Sequence, residues 1–177
     1  MTALHTAPTE ALPALLRQEI RALLDAAFDG DFSDHDWHHA VGGTRVWVTT
    51  ADGGVTHGAL VERRLVCAGT PLRVGYVEAV ATSTSARRRG HGARVMRRIG
   101  ELIVERYPLG VLSTGTHAFY ETQGWERWRG ATFVDGSDGR TATPADGDDI
   151  MVFRTPRSPD SGLVRPIVCD WRHGDVW

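Results

Sequence analysis

The sequence predicts a mixed α+β domain in which helices flank one central sheet. Two observations support this class: a helical pattern precedes a run of short strands, and the later strands alternate with helices. The 177 residues, of which 41% are hydrophobic, are enough to bury a real core. We therefore expect residues 1–177 to form a single domain.

The first part of the chain is predicted to be helical. Residues 1–8 show no periodic pattern and are expected to be disordered. From Pro13 to Phe28, apolar residues recur at spacings of three and four, as on a helix with one apolar face. Ser33, with Asp36 three residues later, resembles a capping box, so a short second helix is expected to begin there.

The rest of the chain is predicted to supply the sheet. Strands are expected at residues 46–50, 55–66, 72–82, 109–113, 125–134, 150–154 and 163–169. Helices are expected at residues 93–107 and 116–123. Residues 135–149 form a polar loop in this prediction, and residues 163–177 form a last strand followed by an irregular tail.

A glycine loop between a strand and a helix carries the clearest chemical signal. Arg87-Arg88-Arg89-Gly90-His91-Gly92 follows an apolar strand and opens a helix from about Ala93. Glycines let main-chain N–H groups turn toward one point, and the first turn of a helix has unpaired donors at its positive end. The loop is predicted to cradle a diphosphate. The alternative is a solvated basic turn.

Composition excludes several classes of protein. A formal charge of −2 and a pI near 6.4 argue against general affinity for nucleic acid. No apolar run is long enough to span a bilayer, so we expect a cytoplasmic protein without a membrane partner. Cys67 and Cys169 are expected to be free thiols, with a single disulfide as the alternative. The histidines do not show metal-ligand spacing, so no metal is expected.

The motif Arg87-x-x-Gly90-x-Gly92, between a strand and a helix, resembles the acyl-CoA signature of the GCN5-related N-acetyltransferases (GNAT). The resemblance implies the GNAT fold, with a mostly antiparallel sheet that splays where acetyl-CoA binds. It implies contacts between acetyl-CoA and residues of the strand and loop: Val80, Ala81, Thr82, Arg87, Arg88, Arg89, Gly90, His91, Gly92 and Ala93. An ordinary, fully paired strand is the alternative for residues 80–82.

Within this family, four segments resemble the aminoglycoside 2′-N-acetyltransferases: GDFSDHDW at 30–37, GYVEAV at 75–80, residues 120–125 and CDWRHGDVW at 169–177. The resemblance implies transfer of an acetyl group from acetyl-CoA to an aminoglycoside amine in a ternary complex, by a homodimer. The alternatives are a GNAT enzyme that acts on a cell-wall amino sugar or another small amine, and a non-catalytic acyl-CoA-binding module.

Two residues are expected to transfer protons. Glu78 lies mid-strand among apolar residues, where burial would raise its pKa toward a value useful for a base. By resemblance, Glu78 acts on the amine through water and Tyr120 protonates the departing thiolate. The alternatives are a glutamate on a solvated strand face and a tyrosine whose ring packs in the core.

An acidic set is expected to bind the acceptor. Carboxylates on loops can each hold an ammonium group with about 1.5–3 kcal/mol when shielded. The predicted acceptor residues are Asp31, Asp36, Glu78, Ala79, Ser113, Asp148, Asp149, Asp175 and Trp177. The family resemblance implies the roles of Asp31, Asp175 and the carboxylate of Trp177. The alternative for any one aspartate is a turn or helix cap.

Overall fold

The computed structural model describes residues 2–160 and 162–177. The described chain divides into two compact units. The first unit comprises Met1–Val61 and Val77–Glu101, and the second comprises Glu62–Tyr76 and Leu102–Trp177. The single domain expected from the sequence stays a prediction.

The described residues form four α-helices: α1 Ala14–Ala27, α2 Asp34–His39, α3 His91–Arg106 and α4 His117–Glu121. Short 3-10 helices cover Thr9–Ala11, Thr84–Ala86 and Gly147–Asp149. The strands are β1 Ala3–Pro8, β2 Thr44–Thr49, β3 Val55–Cys67, β4 Thr70–Thr82, β5 Leu109–Ser113, β6 Glu126–Arg127, β7 Thr132–Gly136, β8 Gly139–Ala142, β9 Ile150–Arg154 and β10 Ile167–Asp170. No helix in these residues is long and apolar enough to cross a membrane.

Both predicted N-terminal helices are confirmed. α1 begins after Pro13, and its apolar stripe of Ile20, Leu23 and Leu24 is buried. α2 has the predicted capping box, because the Ser33 side chain accepts from Asp36 N and the Asp36 side chain accepts from Ser33 N.

In the first unit, α1 covers a small sheet. β1 and β2 are antiparallel, and β2 pairs in the same sense with β3. The predicted disorder of residues 1–8 is therefore wrong for β1, which pairs with β2 from Ala3 to Pro8. His5 also stacks on Trp47 with ring centroids 5.1 Å apart. Trp47 lies more than forty residues after His5 in the sequence. Residues 1–8 alone therefore carry no pattern that predicts this pairing.

The second unit contains the strand order β6-β9-β5-β4-β3-β10-β7-β8. β3–β10, β5–β9, β6–β9 and β7–β8 are antiparallel, whereas β4–β5 and β7–β10 are parallel. The parallel contact between β4 and β5 includes the pairs Gly75↔Gly110 and Tyr76↔Val111. These pairings confirm a mixed, mostly antiparallel arrangement. Cys67 and Cys169 are both buried and free, as predicted.

The last predicted strand, at 163–169, is observed only as β10, and the region from 125 to 149 differs from the sequence-based prediction in two ways. The single strand expected at 125–134 is split into β6 and β7. At Gly130, between them, a Cβ atom would lie 1.8 Å from the carbonyl oxygen of Arg165, so the close approach of two main chains requires glycine. The loop expected at 135–149 contains β8, which forms a hairpin with β7.

Candidate active site

The predicted site residues fall into two groups, one in each unit. The first unit holds Asp31, Asp36, Glu78, Ala79, Val80, Ala81, Thr82, Arg87, Arg88, Arg89, Gly90, His91, Gly92 and Ala93. The second unit holds Ser113, Tyr120, Asp148, Asp149, Asp175 and Trp177.

The glycine loop has the conformation that its sequence requires. Gly90 has φ +77°, and Arg88 before it has φ 58°. α3 begins at His91, two residues earlier than predicted, and its first hydrogen bond joins Arg94 N to Gly90 O. The N–H groups of the next residues after Gly90 therefore precede the helical hydrogen-bond ladder. They are suited to hold an anion at the helix start.

The three arginines of this loop have different surroundings. Arg87 Nε donates to Thr82 O at 3.2 Å, which ties the loop back to the end of β4. Arg89 donates to Asp52 at 3.0 Å in an exposed ion pair. The Thr50 hydroxyl and Arg89 hold the pKa of Asp52 below its ordinary value. Arg89 thus already has a carboxylate partner, which the sequence analysis did not anticipate.

A cleft of about 430 Å³ adjoins this loop within the first unit. Its lining comprises Glu19, Ala22, Leu23, Ala26, Ala27, Gly53, Val55, Thr82, Ser83, Thr84 and Arg87. The predicted cofactor residues Thr82 and Arg87 form one part of the wall, and α1 forms another. The contribution of α1 to this cleft was not predicted. Its alanines line the cleft and leave open a volume that larger side chains would fill.

Glu78 is half-buried in β4, between the buried position expected for a base and the solvated face of the alternative. The next residue, Ala79, has φ 54° in the middle of the strand. A left-handed conformation costs a residue with a Cβ atom about 1–2 kcal/mol, so surrounding contacts must hold it.

His57 and Arg45 form a buried pair against this distorted position. His57 Nδ1 lies 2.8 Å from Ala79 O, and His57 Nε2 lies 3.3 Å from Arg45 Nη1. Arginine can only donate, so Nε2 accepts and Nδ1 carries the hydrogen that is donated to Ala79 O. Both side chains are fully buried. This pair could not be predicted from the sequence, because a histidine and an arginine in strands carry no motif.

The surroundings of the pair keep His57 neutral and Arg45 charged. Burial, followed by the charge of Arg45, lowers the pKa of His57 to about 3. Burial, followed by the charge of Arg17, lowers the pKa of Arg45 to about 10, so Arg45 stays charged at neutral pH. The Arg45 guanidinium is also held by Thr9 Oγ1 at 3.0 Å and lies 4.9 Å from the centre of the Trp37 ring.

Acid is expected to destabilise the protein through His57. The pKa is about 3 in the folded protein and 6.5 as a reference, so the unfolded chain binds this proton first as the pH falls. The stabilisation is complete above pH 6.5 and is lost toward pH 3, by about 2 kcal/mol at pH 5. Urea unfolding at pH 7 and pH 5 measures this loss, with His57→Asn as the variant that lacks the group. An identical loss in both proteins would contradict the assignment.

The two predicted aspartates of the first unit have different environments. Asp36 Oδ2 accepts from both Ser33 N and Ser33 Oγ at 2.8 Å, so the capping interpretation of Asp36 is confirmed. Asp31 is exposed in the loop between α1 and α2, and its main-chain N donates to Phe28 O. Their contact with an acceptor stays a prediction.

In the second unit, Tyr120 is buried against other aromatic rings. Phe119 and Trp125 meet it edge-on, with centroid distances of 5.0 and 6.3 Å. Burial raises the pKa of Tyr120 to about 12. The phenol is therefore protonated at neutral pH and has a proton to donate. α4, which carries it, is shorter than predicted.

The segment after β5 is bound to the 147–149 turn. Thr114 N donates to Asp149 O at 2.9 Å, and His117 Nε2 lies 2.9 Å from Asp148 O. The same nitrogen lies 3.7 Å from the Asp149 carboxylate. These contacts place Ser113, at the end of β5, in the same region as two of the predicted aspartates.

A further carboxylate, Asp146, was not among the predicted residues. Burial and the charges of Asp175 and Asp149 raise the pKa of Asp146. Asp146 is thus close enough to Asp149 in the same turn and to Asp175 in the C-terminal tail to be repelled by both charges. We call Asp146, Asp149 and Asp175 the acidic cluster. Asp146 looked like an ordinary loop residue in the sequence, because only the fold brings it near Asp175.

The tail that carries Asp175 is fixed by buried contacts. Arg63 donates to Val176 O and to Asp170 O, both at 2.8 Å, and forms a 2.9 Å ion pair with the Asp170 carboxylate. Trp177 is buried, and its Nε1 donates to Thr143 Oγ1 at 2.9 Å. Residues 171–177 are irregular, as predicted, whereas Asp170 ends β10, and the tail is anchored.

No group of three or more histidine, cysteine, aspartate or glutamate residues in the described parts of the chain could hold a metal ion.

Comparison with known proteins identifies the class of enzyme. The family model described as an acetyltransferase (GNAT) domain matches residues 16–128. Among solved structures, the GNAT N-acetyltransferase YhbS from Escherichia coli, in complex with CoA, has a TM-score of 0.68 at 17% identity. The match covers 95% of this chain and 89% of that one. Escherichia coli ElaA has a TM-score of 0.61 at 15% identity, over 87% of this chain and 100% of that one. The chain belongs to the GNAT family, and it is an acetyltransferase.

A curated relative lies nearer in sequence. The aminoglycoside 2′-N-acetyltransferase of Mycolicibacterium fortuitum is 39% identical to this chain over 181 residues, which cover 98% of this chain and 93% of the relative. The similarity therefore includes both units and the tail.

Proposed function

We propose that this acetyltransferase transfers the acetyl group of acetyl-CoA to the 2′-amine of an aminoglycoside. The observation that carries the choice of acceptor is the acidic cluster, in which Asp149 and Asp175 repel the charge of Asp146, a repulsion that an oligocationic ligand would relieve. The 39% identical relative, which is named for this reaction, supports the same acceptor.

The first unit is proposed to bind acetyl-CoA. The N–H groups that open α3 suit a diphosphate, and the positive φ of Gly90 turns the chain toward it. Arg87 and Arg88 add positive charge, and the main chain of residues 80–82 is assigned to the pantetheine arm. Bound acetyl-CoA supplies a thioester, whose carbonyl carbon an amine can attack.

Two side chains are proposed to move the protons of this reaction. Glu78 accepts, through a water molecule, the proton that the acceptor ammonium must lose before its nitrogen can attack. Tyr120 donates its phenolic proton to the sulfur as the carbon–sulfur bond breaks, and its phenolate then takes up the second proton that the nitrogen loses on becoming an amide. The phenol carries its proton at neutral pH, because tyrosine ordinarily loses it only near pH 10 and burial raises the pKa of Tyr120 further, to about 12.

The acceptor is proposed to bind through carboxylates. The acidic cluster and Asp148 would hold ammonium groups, together with the predicted contacts at Asp31, Asp36, Ala79, Ser113 and Trp177. Each shielded ammonium–carboxylate hydrogen bond contributes about 1.5–3 kcal/mol.

The family resemblance also supports a homodimer.

The identity of the acceptor group is tested with two aminoglycosides that differ only at the 2′ position, where one has an amine and the other a hydroxyl. We expect acetylation of the 2′-amine compound at least 100-fold faster in kcat/KM, because the hydroxyl compound lacks the reacting group. Product analysis by NMR locates the acetyl group. Comparable rates on both compounds would reject the 2′ position, and activity confined to other small amines would reject the aminoglycoside while leaving the acetyltransferase intact.

A further inference from the structure

The main chain of β4 is distorted directly after the proposed base. Ala79 has φ 54°, and a left-handed residue interrupts the regular alternation of carbonyl and N–H directions along a strand. The direction of the peptide that joins Ala79 to Val80 is therefore not set by the strand's regular geometry. A contact outside the regular pattern must set it.

His57 provides that contact. Its Nδ1–H donates to the Ala79 carbonyl oxygen at 2.8 Å, and its other nitrogen is held by Arg45. The described residues contain no cis peptide bond. In a trans peptide the carbonyl and the following N–H point in opposite directions. Because His57 holds the Ala79 oxygen on its own side, the Val80 N–H must point away from His57.

The histidine is itself locked in place. Arg45 cannot accept a hydrogen bond, so it fixes the tautomer with the hydrogen on Nδ1. Arg45 is fixed in turn by Thr9 Oγ1 and by the face of Trp37 in α2. This chain of contacts lies wholly within the first unit, and it ends at the peptide next to Glu78.

We infer that His57 is a positioning residue for acetyl transfer, which aims the Val80 N–H at the thioester carbonyl oxygen by holding the Ala79 carbonyl. This inference rests on the proposed function, which assigns the main chain of Val80 to acetyl-CoA and the base to Glu78. A fixed donor at the oxygen where negative charge develops lowers the barrier, because it needs no reorientation during the reaction. His57 touches neither substrate, so its effect must pass through the peptide.

Two substitutions separate this role from simple packing. His57→Asn places an amide nitrogen near the position of Nδ1 and keeps a donor to Ala79 O. His57→Gln places its amide near the position of Nε2 and loses that donor. Both variants remove the ring and bury an amide, so each is the stability control of the other.

The expected result is a difference in kcat without a difference in binding. His57→Gln should lower kcat about tenfold, and His57→Asn should stay within about threefold of the wild type. The Kd for CoA, which lacks the acetyl carbonyl, should stay within about twofold in both. Equal kcat losses in the two variants, or wild-type kcat in both, would overturn the inference.

A measurement on the unmodified protein keeps the inference testable if the variants do not fold. The ¹⁵N chemical shifts of His57 at pH 7 should show a neutral ring with its hydrogen on Nδ1. A ring with the hydrogen on Nε2, or a charged ring, would overturn it. The kinetic comparison can use any amine that the wild type acetylates. It therefore stays valid even if the acceptor is not an aminoglycoside.

Discussion

Replacing Glu78 with glutamine is expected to lower kcat by about 100- to 1000-fold at neutral pH. Glutamine has nearly the same shape as glutamate but cannot take a proton from the acceptor ammonium. The half-buried position of Glu78 in β4 allows the substitution without a cavity. Affinity for acetyl-CoA should not change, because the loop that is assigned to the cofactor is untouched. Steady-state kinetics and calorimetric titration with CoA measure the two quantities.

Glu62→Gln is the matched control for this variant. Glu62 lies on β3, is partly exposed and pairs with Arg73 at 3.5 Å, so it offers the same substitution without a proposed role in proton transfer. The control should keep wild-type kcat. The loss in Glu78→Gln should also shrink as the pH rises, because a larger fraction of the acceptor amine is then already neutral. Unchanged turnover in Glu78→Gln would remove Glu78 from the mechanism.

Local patterns made the helices and the cofactor loop predictable. The capping box of Ser33 and Asp36 lies within four residues, and the apolar stripe of α1 repeats within one helix. The loop at Gly90 was predictable for the same reason. A glycine directly before a helix is visible in the sequence, and it permits the positive φ that the loop adopts. In each case the physical cause and the sequence signal lie within one element.

Contacts between distant segments were not predictable in the same way. Asp146 became a candidate only when the fold brought it near Asp175, and β1 became a strand only because β2 offers it a partner. The distortion at Ala79 is the clearest case. Alanine does not favour positive φ, and the groups that hold the bent peptide, His57 and Arg45, belong to two other strands.

The buried Arg63 holds the C-terminal tail, and therefore the position of Asp175, which is proposed to bind the acceptor. The Arg63 guanidinium donates to two tail carbonyls and to the Asp170 carboxylate, and it lies 4.8 Å from the centre of the Tyr76 ring. It is only 6% exposed. Without the arginine, the carbonyl oxygens of Val176 and Asp170 lose their donor, at a cost of about 1–3 kcal/mol for each oxygen that stays buried. The tail would relieve that cost by leaving its position, and Asp175 would move with it.

Arg63→Met is therefore expected to raise the KM for aminoglycoside about 100-fold while the KM for acetyl-CoA stays within about threefold. Loss of one shielded ammonium–carboxylate contact, at about 1.5–3 kcal/mol, corresponds to about 10- to 150-fold in affinity. Arg73→Met removes the same charge from an exposed ion pair on β4 and should leave both constants unchanged. Circular dichroism and thermal unfolding confirm that each variant is folded under assay conditions. If Arg63→Met changes both KM values equally, the arginine supports the fold in general. If it changes neither, the anchored tail does not bind the acceptor, and the carboxylates of the 146–149 turn must hold it without Asp175.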